Sequence, residues 1–273
     1  MQTHLSLRSL TGNEKPDKDV QALFATRPGG KAILFIHGFS GDPIKTWSDF
    51  HVLLPAAQNC RDRDLYFYGY DGLRANMNSS AALFRDFLDR LFQQSAEFVN
   101  HNLPEDAQRP NTFQYDDVLL VAHSLGAVIV RRALLDLTRL DRSWLAKTRL
   151  VLFAPAHKGA SIADLALEVA SSFRFLRFFG AVARFESPLI DQLKPGSPQL
   201  ISLLKETELA SQNGANLHLR AHQVIIAEYE RIVENETFGS DPPPVTIPNT
   251  EHTTVCKPRT DFLRPFQILE KSL

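Results

Sequence analysis

Residues 118–130 read Val118-Leu-Leu-Val-Ala-His-Ser124-Leu-Gly-Ala-Val-Ile-Val130, an apolar run interrupted only by His123 and Ser124. A buried strand has no use for a histidine and a serine at its end. Ser124 is therefore either a small residue filling a tight turn or a nucleophile raised by one. A strand that ends in x-Ser-x-Gly and runs into a helix puts the serine on a sharp, strained turn, with its hydroxyl above the sheet. Strand and helix backbones come close there, so both flanking positions must be small. Gly126 meets that need on one side, and Ala122, with a single methyl, stands where glycine is usual. The helix that begins after Ser124 points backbone N–H groups at the reacting centre, where negative charge is favoured.

Outward from this stretch, short apolar runs alternate with longer amphipathic ones. Lys31 to Ile36, Asp64 to Tyr70, Val118 to Ala122, Leu150 to Phe153, Gln223 to Ile226 and Val245 to Ile247 read as strands. Several are apolar on both faces, which suits a parallel sheet covered on both sides. Leu83, Phe84, Phe87, Leu88, Leu91 and Phe92 recur as one helix face. After Ser124, Val128, Ala133, Leu134 and Leu137 continue such a face, with Arg131, Arg132 and Asp136 on its outer side. Phe262 to Leu269 closes the chain as a last helix. Alternating strands and helices predict an α/β fold with a doubly wound, mostly parallel sheet. Its active site is expected at the carboxyl ends of the strands. Residues 161–222 break the alternation: no strand is legible, and Arg174, Arg177 and Arg184 share one narrow arc of an otherwise apolar helical pattern. This predicts one domain over 1–273 with a helical cap insertion at about 161–222.

Composition narrows the function. In 273 residues, 30 basic side chains face 31 acidic ones, so no global field recruits nucleic acid, and none is expected as a partner. Cys60 and Cys256 match neither a metal-ligand spacing nor a disulfide framework, so no metal and no cofactor is expected. The N-terminal stretch lacks the apolar run of a secretory signal, and no uncharged apolar run is long enough to span a bilayer. A cytoplasmic, reduced setting is the expectation.

Serine at its free pKa is a poor nucleophile and needs a base held by a third group. In this architecture the partners follow in the order serine, acid, histidine. Of the nine histidines, His252 falls after the last strand and before the final helix, which makes it the candidate base. The acid is sought after the fifth predicted strand, in Ala227-Glu-Tyr-Glu-Arg-Ile-Val233, where Glu230 is preferred and Glu228 is its rival. The loop His37-Gly-Phe-Ser-Gly41 follows the first predicted strand and can turn the N–H of Phe39 toward an oxyanion, opposite the N–H of Leu125. His37 is expected to brace this loop.

Taken together, His37 to Gly41, Ala122 to Gly126 and Glu251 to Pro258 resemble the α/β-hydrolase superfamily on its lipase and esterase side. Phe35 to Trp47 is similar to the strand and oxyanion loop of serine-active-site-containing lipase-like proteins. Phe153 to Leu165 resembles the Pro-His-x-Gly-Ser segment of those proteins and of inositol-deacylase-like lipases, with Ala156 as an extra residue. Leu189 to Leu200 is similar to their cap segment. The resemblance covers roughly residues 31–260 as ordered short motifs. It implies Ser124 as nucleophile, His252 as base, and Phe39 and Leu125 as oxyanion donors. It also aligns Glu230 with the acid of a Gly-x-x-Asp-x-x-Val segment, with glutamate for aspartate and alanine for glycine.

The expected activity is hydrolysis of a small-molecule ester or acyl-lipid by a serine esterase or lipase. An acyl-thioesterase uses the same machinery, and a non-catalytic binding module on a hydrolase fold is the reading from another class. Nineteen phenylalanines, several within 173–185, suit an apolar cap that meets an acyl chain, or equally rings packed on the sheet. Transient contact of the cap with a membrane surface is a further expectation. Oligomeric state is not legible.

Overall fold

The computed structural model describes residues 3–10, 19–72, 76–161, 188–234 and 238–273. Eight strands form one sheet: β1 (Arg8–Ser9), β2 (Gln21–Leu23), β3 (Lys31–Ile36), β4 (Arg63–Tyr68), β5 (Asp117–His123), β6 (Thr148–Phe153), β7 (Gln223–Ala227) and β8 (Val245–Ile247). Their order is β1-β2-β4-β3-β5-β6-β7-β8. Strands β3 to β8 pair in parallel, while β1 and β2 extend one edge antiparallel. All six strands read from sequence are present. The two antiparallel strands, β1 and β2, were not among the strands read from sequence.

The described helices are α1 (Phe50–Ala56), α2 (Met77–Gln93), α3 (Ser95–Asn100), α4 (Leu125–Arg139), α5 (Pro188–Gln192), α6 (Pro198–Ser211) and α7 (Arg264–Glu270). None is long and apolar enough to cross a membrane. Within the predicted cap insertion, the described part after residue 187 is helical, with α5, α6 and a 3-10 turn at Leu217–Leu219. The predicted arc of Arg174, Arg177 and Arg184 lies outside the described residues.

Aromatic rings fill both faces of the sheet. Phe35 of β3 stacks on Phe67 of β4 at 5.0 Å and meets Trp47 and Phe50, and Phe50 reaches Phe266 of α7. On the other face Tyr68 packs edge-on against Phe84 and Phe87 of α2. Burying one such ring stabilises by about 1.5–3 kcal/mol relative to leaving it exposed. Helices α2 and α4 pack together on that second face.

Two details of the helix readings are corrected. Leu83 points to solvent at 62% exposure, because the buried stripe of α2 runs through Met77, Ala81, Phe84, Leu88 and Leu91. Arg131 is not on the outer side of α4 but 1% exposed. Helix α4 is buried nearly all round, and Arg131 finds a counter-charge in Asp241, its Nε faces His157, and it donates to the carbonyl of Leu219. Arg132 does lie outward, paired with Asp136 and Glu206.

Candidate active site

The chain leaves β3 toward β4 on one side, then returns past β3 to lay β5 on its other side. The winding therefore reverses between β3 and β5, and ligands in open α/β sheets bind beyond the strand ends at such a reversal. Ile36 and Ala122 are paired across the two strands, so the loop after β3 and the turn after β5 leave the sheet side by side.

Ser124 occupies that turn with φ 53° and ψ −121°, a backbone state that costs an L-residue about 1–3 kcal/mol. The turn is over-determined by its neighbours. Ser124 N–H donates to the Phe153 carbonyl, while its own carbonyl accepts from Ala127 and Ala156 N–H. Ala156, the extra residue after Pro155, thus braces the serine. Gly126 is required by contact: a methyl there would lie 2.4 Å from the carbonyl oxygens of Ile36 and His37. Ala122 needs no such relief, since it sits within the regular β5 ladder opposite Ile36 and Leu152.

Three side chains from three connections converge. His252 Nε2 lies 2.9 Å from Ser124 Oγ, and its Nδ1 lies 3.0 Å from both carboxylate oxygens of Glu230. The side chains of His252 and Glu230 are 1% and 0% exposed. Burial alone would raise the Glu230 pKa. The bond and charge of His252, with the N–H groups of Ile232 and Val233 on Oε1, outweigh burial and hold the carboxyl below its ordinary value. Glu228 is not part of this cluster: it is exposed, and Oε2 accepts from Asn249 N–H at 2.8 Å.

The loop after β3 stands against the serine, for a methyl on Gly38 would come within 2.8 Å of Ser124 Cβ. His37 holds the loop. Its Nδ1–H donates to the Gly38 carbonyl at 2.8 Å, and Nε2 accepts from Tyr70 N–H at 3.3 Å. Tyr70 stacks on the ring at 4.4 Å and donates its hydroxyl to the His37 carbonyl. Phe39 is the second residue after His37 in this loop, and Leu125 opens α4 directly after Ser124.

The other buried histidines are engaged elsewhere. His157 Nε2 meets Arg131 and the Ala127 carbonyl, and burial beside Arg131 pushes its pKa well down. His218 bonds Thr138, and burial lowers its pKa to about 4. His123 bonds the main-chain oxygen of His252, a role that its place before the serine did not reveal. Among the described residues, no group of three His, Cys, Asp or Glu side chains could hold a metal ion.

A family model described as the alpha/beta hydrolase family matches residues 33–253. No curated protein matches the chain. Among solved structures, the mature lipase BlEst2 of Bacillus licheniformis superposes with a TM-score of 0.52 at 14% identity, over 97% of each chain. The peroxisomal α/β-hydrolase Lpx1 of Saccharomyces cerevisiae gives 0.52 at 10% identity, over 99% of this chain and 86% of that one. YbtT, a type II thioesterase of yersiniabactin biosynthesis, gives 0.50 at 12% identity, over 93% and 96%. At these identities the likeness to the solved structures is one of fold. The family model spans most of the chain, from within β3 to just past His252, and the chain belongs to the alpha/beta hydrolase family.

Proposed function

We propose that this chain is a serine hydrolase that cleaves carboxylic esters through an acyl-enzyme intermediate, with Ser124 as nucleophile, His252 as base and Glu230 as acid. The continuous hydrogen-bonded line from Glu230 through His252 to Ser124 Oγ carries the reading. Ser124 Oγ attacks the acyl carbonyl as His252 Nε2 takes its proton. Glu230, already ionised and facing Nδ1, stabilises the imidazolium that forms. The N–H groups of Phe39 and Leu125 hold the oxyanion. His252 then returns the proton to the leaving alcohol, and water, activated in the same way, releases the acid.

On that reading the chain is one domain, and residues 161–222 form a cap whose apolar side meets an acyl chain. Docking of the cap on a lipid surface, with Arg174, Arg177 and Arg184 near phosphates, is part of the same proposal. A thioester presents the same electrophilic carbonyl to Ser124, and one fold neighbour is a thioesterase. Thioesters are therefore the second substrate class.

A fluorophosphonate probe is expected to label Ser124 and to leave Ser124→Ala unlabelled. Matched nitrophenyl esters and acyl thioesters of increasing chain length should be turned over by the native chain, with loss of at least about 10³-fold in Ser124→Ala. A folded native sample that neither labels nor hydrolyses any member of the series would make the chain a non-catalytic binding module. Flotation with anionic liposomes reads the lipid contact, and absence of binding would remove it.

A further inference from the structure

His252 sits on a connection that has neither strand nor helix between β8 and α7 apart from turns. Its loop is held by its own turns, by the β7 turn, and by Cys256 Sγ on the Thr46 carbonyl and Asp49 N–H on the Pro258 carbonyl. Thr250 Oγ1 donates to the Ile247 carbonyl, Glu251 N–H to Thr254 Oγ1, Val255 N–H to the Glu251 carbonyl, and Tyr229 N–H to the Thr250 carbonyl. The bond made to the main chain of His252 itself comes from the centre of the sheet. His123 Nε2 lies 2.9 Å from the His252 carbonyl oxygen. We propose that His123 is a positioning residue for the base: its Nε2–H, gripping the His252 carbonyl, sets where the His252 ring hangs between Ser124 and Glu230. The proposal rests on the catalytic roles given above to Ser124 and His252.

The anchor belongs to the sheet. His123 is the last residue of β5, paired with Phe153 in the ladder and followed directly by Ser124. Its ring is buried, meets Trp47 edge-on at 6.4 Å and lies 4.9 Å from the His252 ring. One residue of strand therefore measures the base against the nucleophile, and a displacement of the base by about 1 Å can cost about 10²-fold in rate.

Chemistry distinguishes this from simple filling of space. A carbonyl oxygen can only accept, so the proton resides on Nε2 and Nδ1 carries a bare lone pair. Among the described residues that Nδ1 is buried without a hydrogen-bond partner, beside Gly38, where an added methyl would stand 3.0 Å away. An unsatisfied buried acceptor is unfavourable. An apolar side chain of similar size would fill the space without that penalty, so what histidine supplies here is the Nε2–H donor. Burial foremost, then the nearby His252, push the His123 pKa well down and keep its ring neutral. A neutral ring is what the site needs, since a second cation at 4.9 Å would oppose formation of the His252 imidazolium.

The test compares His123→Gln, whose amide can place a donor near the Nε2 position, with His123→Met, which has similar reach and no donor. His123→Asn, whose donor falls short, stands beside them in case the methionine variant does not fold. Ester turnover and the rate of fluorophosphonate labelling are read together with the thermal midpoint. The expected result is a kcat lower by about 10- to 100-fold in Met and Asn, with KM within about twofold, and a Gln variant within about threefold of the native chain. Equal losses in Gln and Met, or native kcat in a folded Met or Asn variant, would overturn the proposal. If instead the native chain itself neither labels nor turns over, the catalytic roles fail and not this inference alone.

Discussion

The two ends of the sheet bury carboxylates in different company. At the amino ends, Asp64 of β4 accepts from the two terminal nitrogens of Arg109 at 2.5 and 2.6 Å, with the Tyr115 hydroxyl and Ala25 N–H completing its shell. Asp117, which opens β5, is shared by Arg63 and Arg149, and those two arginines also hold the carbonyls of Leu273 and Ser272. At the carboxyl ends, the side chain of Glu230 is as deeply buried as that of Asp64. Its partners are an imidazole and two backbone N–H groups, with no guanidinium or ammonium among the described residues. An arginine does not release its proton, so the amino-end pairs are fixed charges. An imidazole can take a proton and return it. Buried charge therefore marks a structural clamp at one end and a candidate site at the other, and the partner's chemistry decides which.

That contrast can be broken from either side. Glu230→Gln keeps the size of the side chain and removes its charge. It is expected to lower kcat by about 10²- to 10⁴-fold while the fold persists, as read by ester turnover beside circular dichroism. The matching change at the other end, Asp64→Asn, leaves Arg109 buried without its counter-charge. It should cost about 3–5 kcal/mol in urea unfolding with kcat of the folded fraction unchanged. If Asp64→Asn lost activity at constant stability, or Glu230→Gln lost stability at constant activity, the division between the two ends would be wrong.

Acid sharpens the comparison with a smaller effect. Glu230 is held below its unfolded value, so its ionisation contributes stability that is present above about pH 4.3 and lost as pH falls toward the folded value. Asp117 has the same sign: burial would raise its pKa, and Arg149 and Arg63 together lower it. In Glu230→Gln the fall of unfolding free energy below about pH 4.3 should be shallower than in the native chain, measured by denaturant midpoints across that range. The smallest effect is expected at Ala122, where glycine would restore the usual motif. Ala122 is a regular strand residue with no exposure, so Ala122→Gly should cost about 0.5–1 kcal/mol and leave kcat alone. A gain in turnover would mean that the alanine does constrain the nucleophile turn.

The central parallel strands β3 to β6 were legible because each carries enough apolar residues to be buried on both faces, and the turn at Ser124 because small flanks and an emerging helix leave a local mark. Arg131 was misread for a physical reason. Polarity on a helical wheel predicts solvent, yet Asp241, 110 residues away, supplies the charge that lets the guanidinium stay inside. Phenylalanines of β3, β4, α1 and α2 pack on the sheet, while those within 173–185 lie outside the described residues.

Sequence alone determined the α/β class, the order of its six parallel strands along the chain, and Ser124 and His252 as candidates. Each of these depends on local pattern and on order along the chain. Only the tertiary structure shows which of Glu228 and Glu230 meets His252, for they stand two residues apart with the same chemistry. The backbone after β7 turns Glu230 inward to His252 and sends Glu228 out to Asn249. It alone showed that His123, the neighbour of the serine in sequence, bonds the main chain of His252 across 129 residues. Such contacts are set by where separate loops leave one sheet, which no local pattern records.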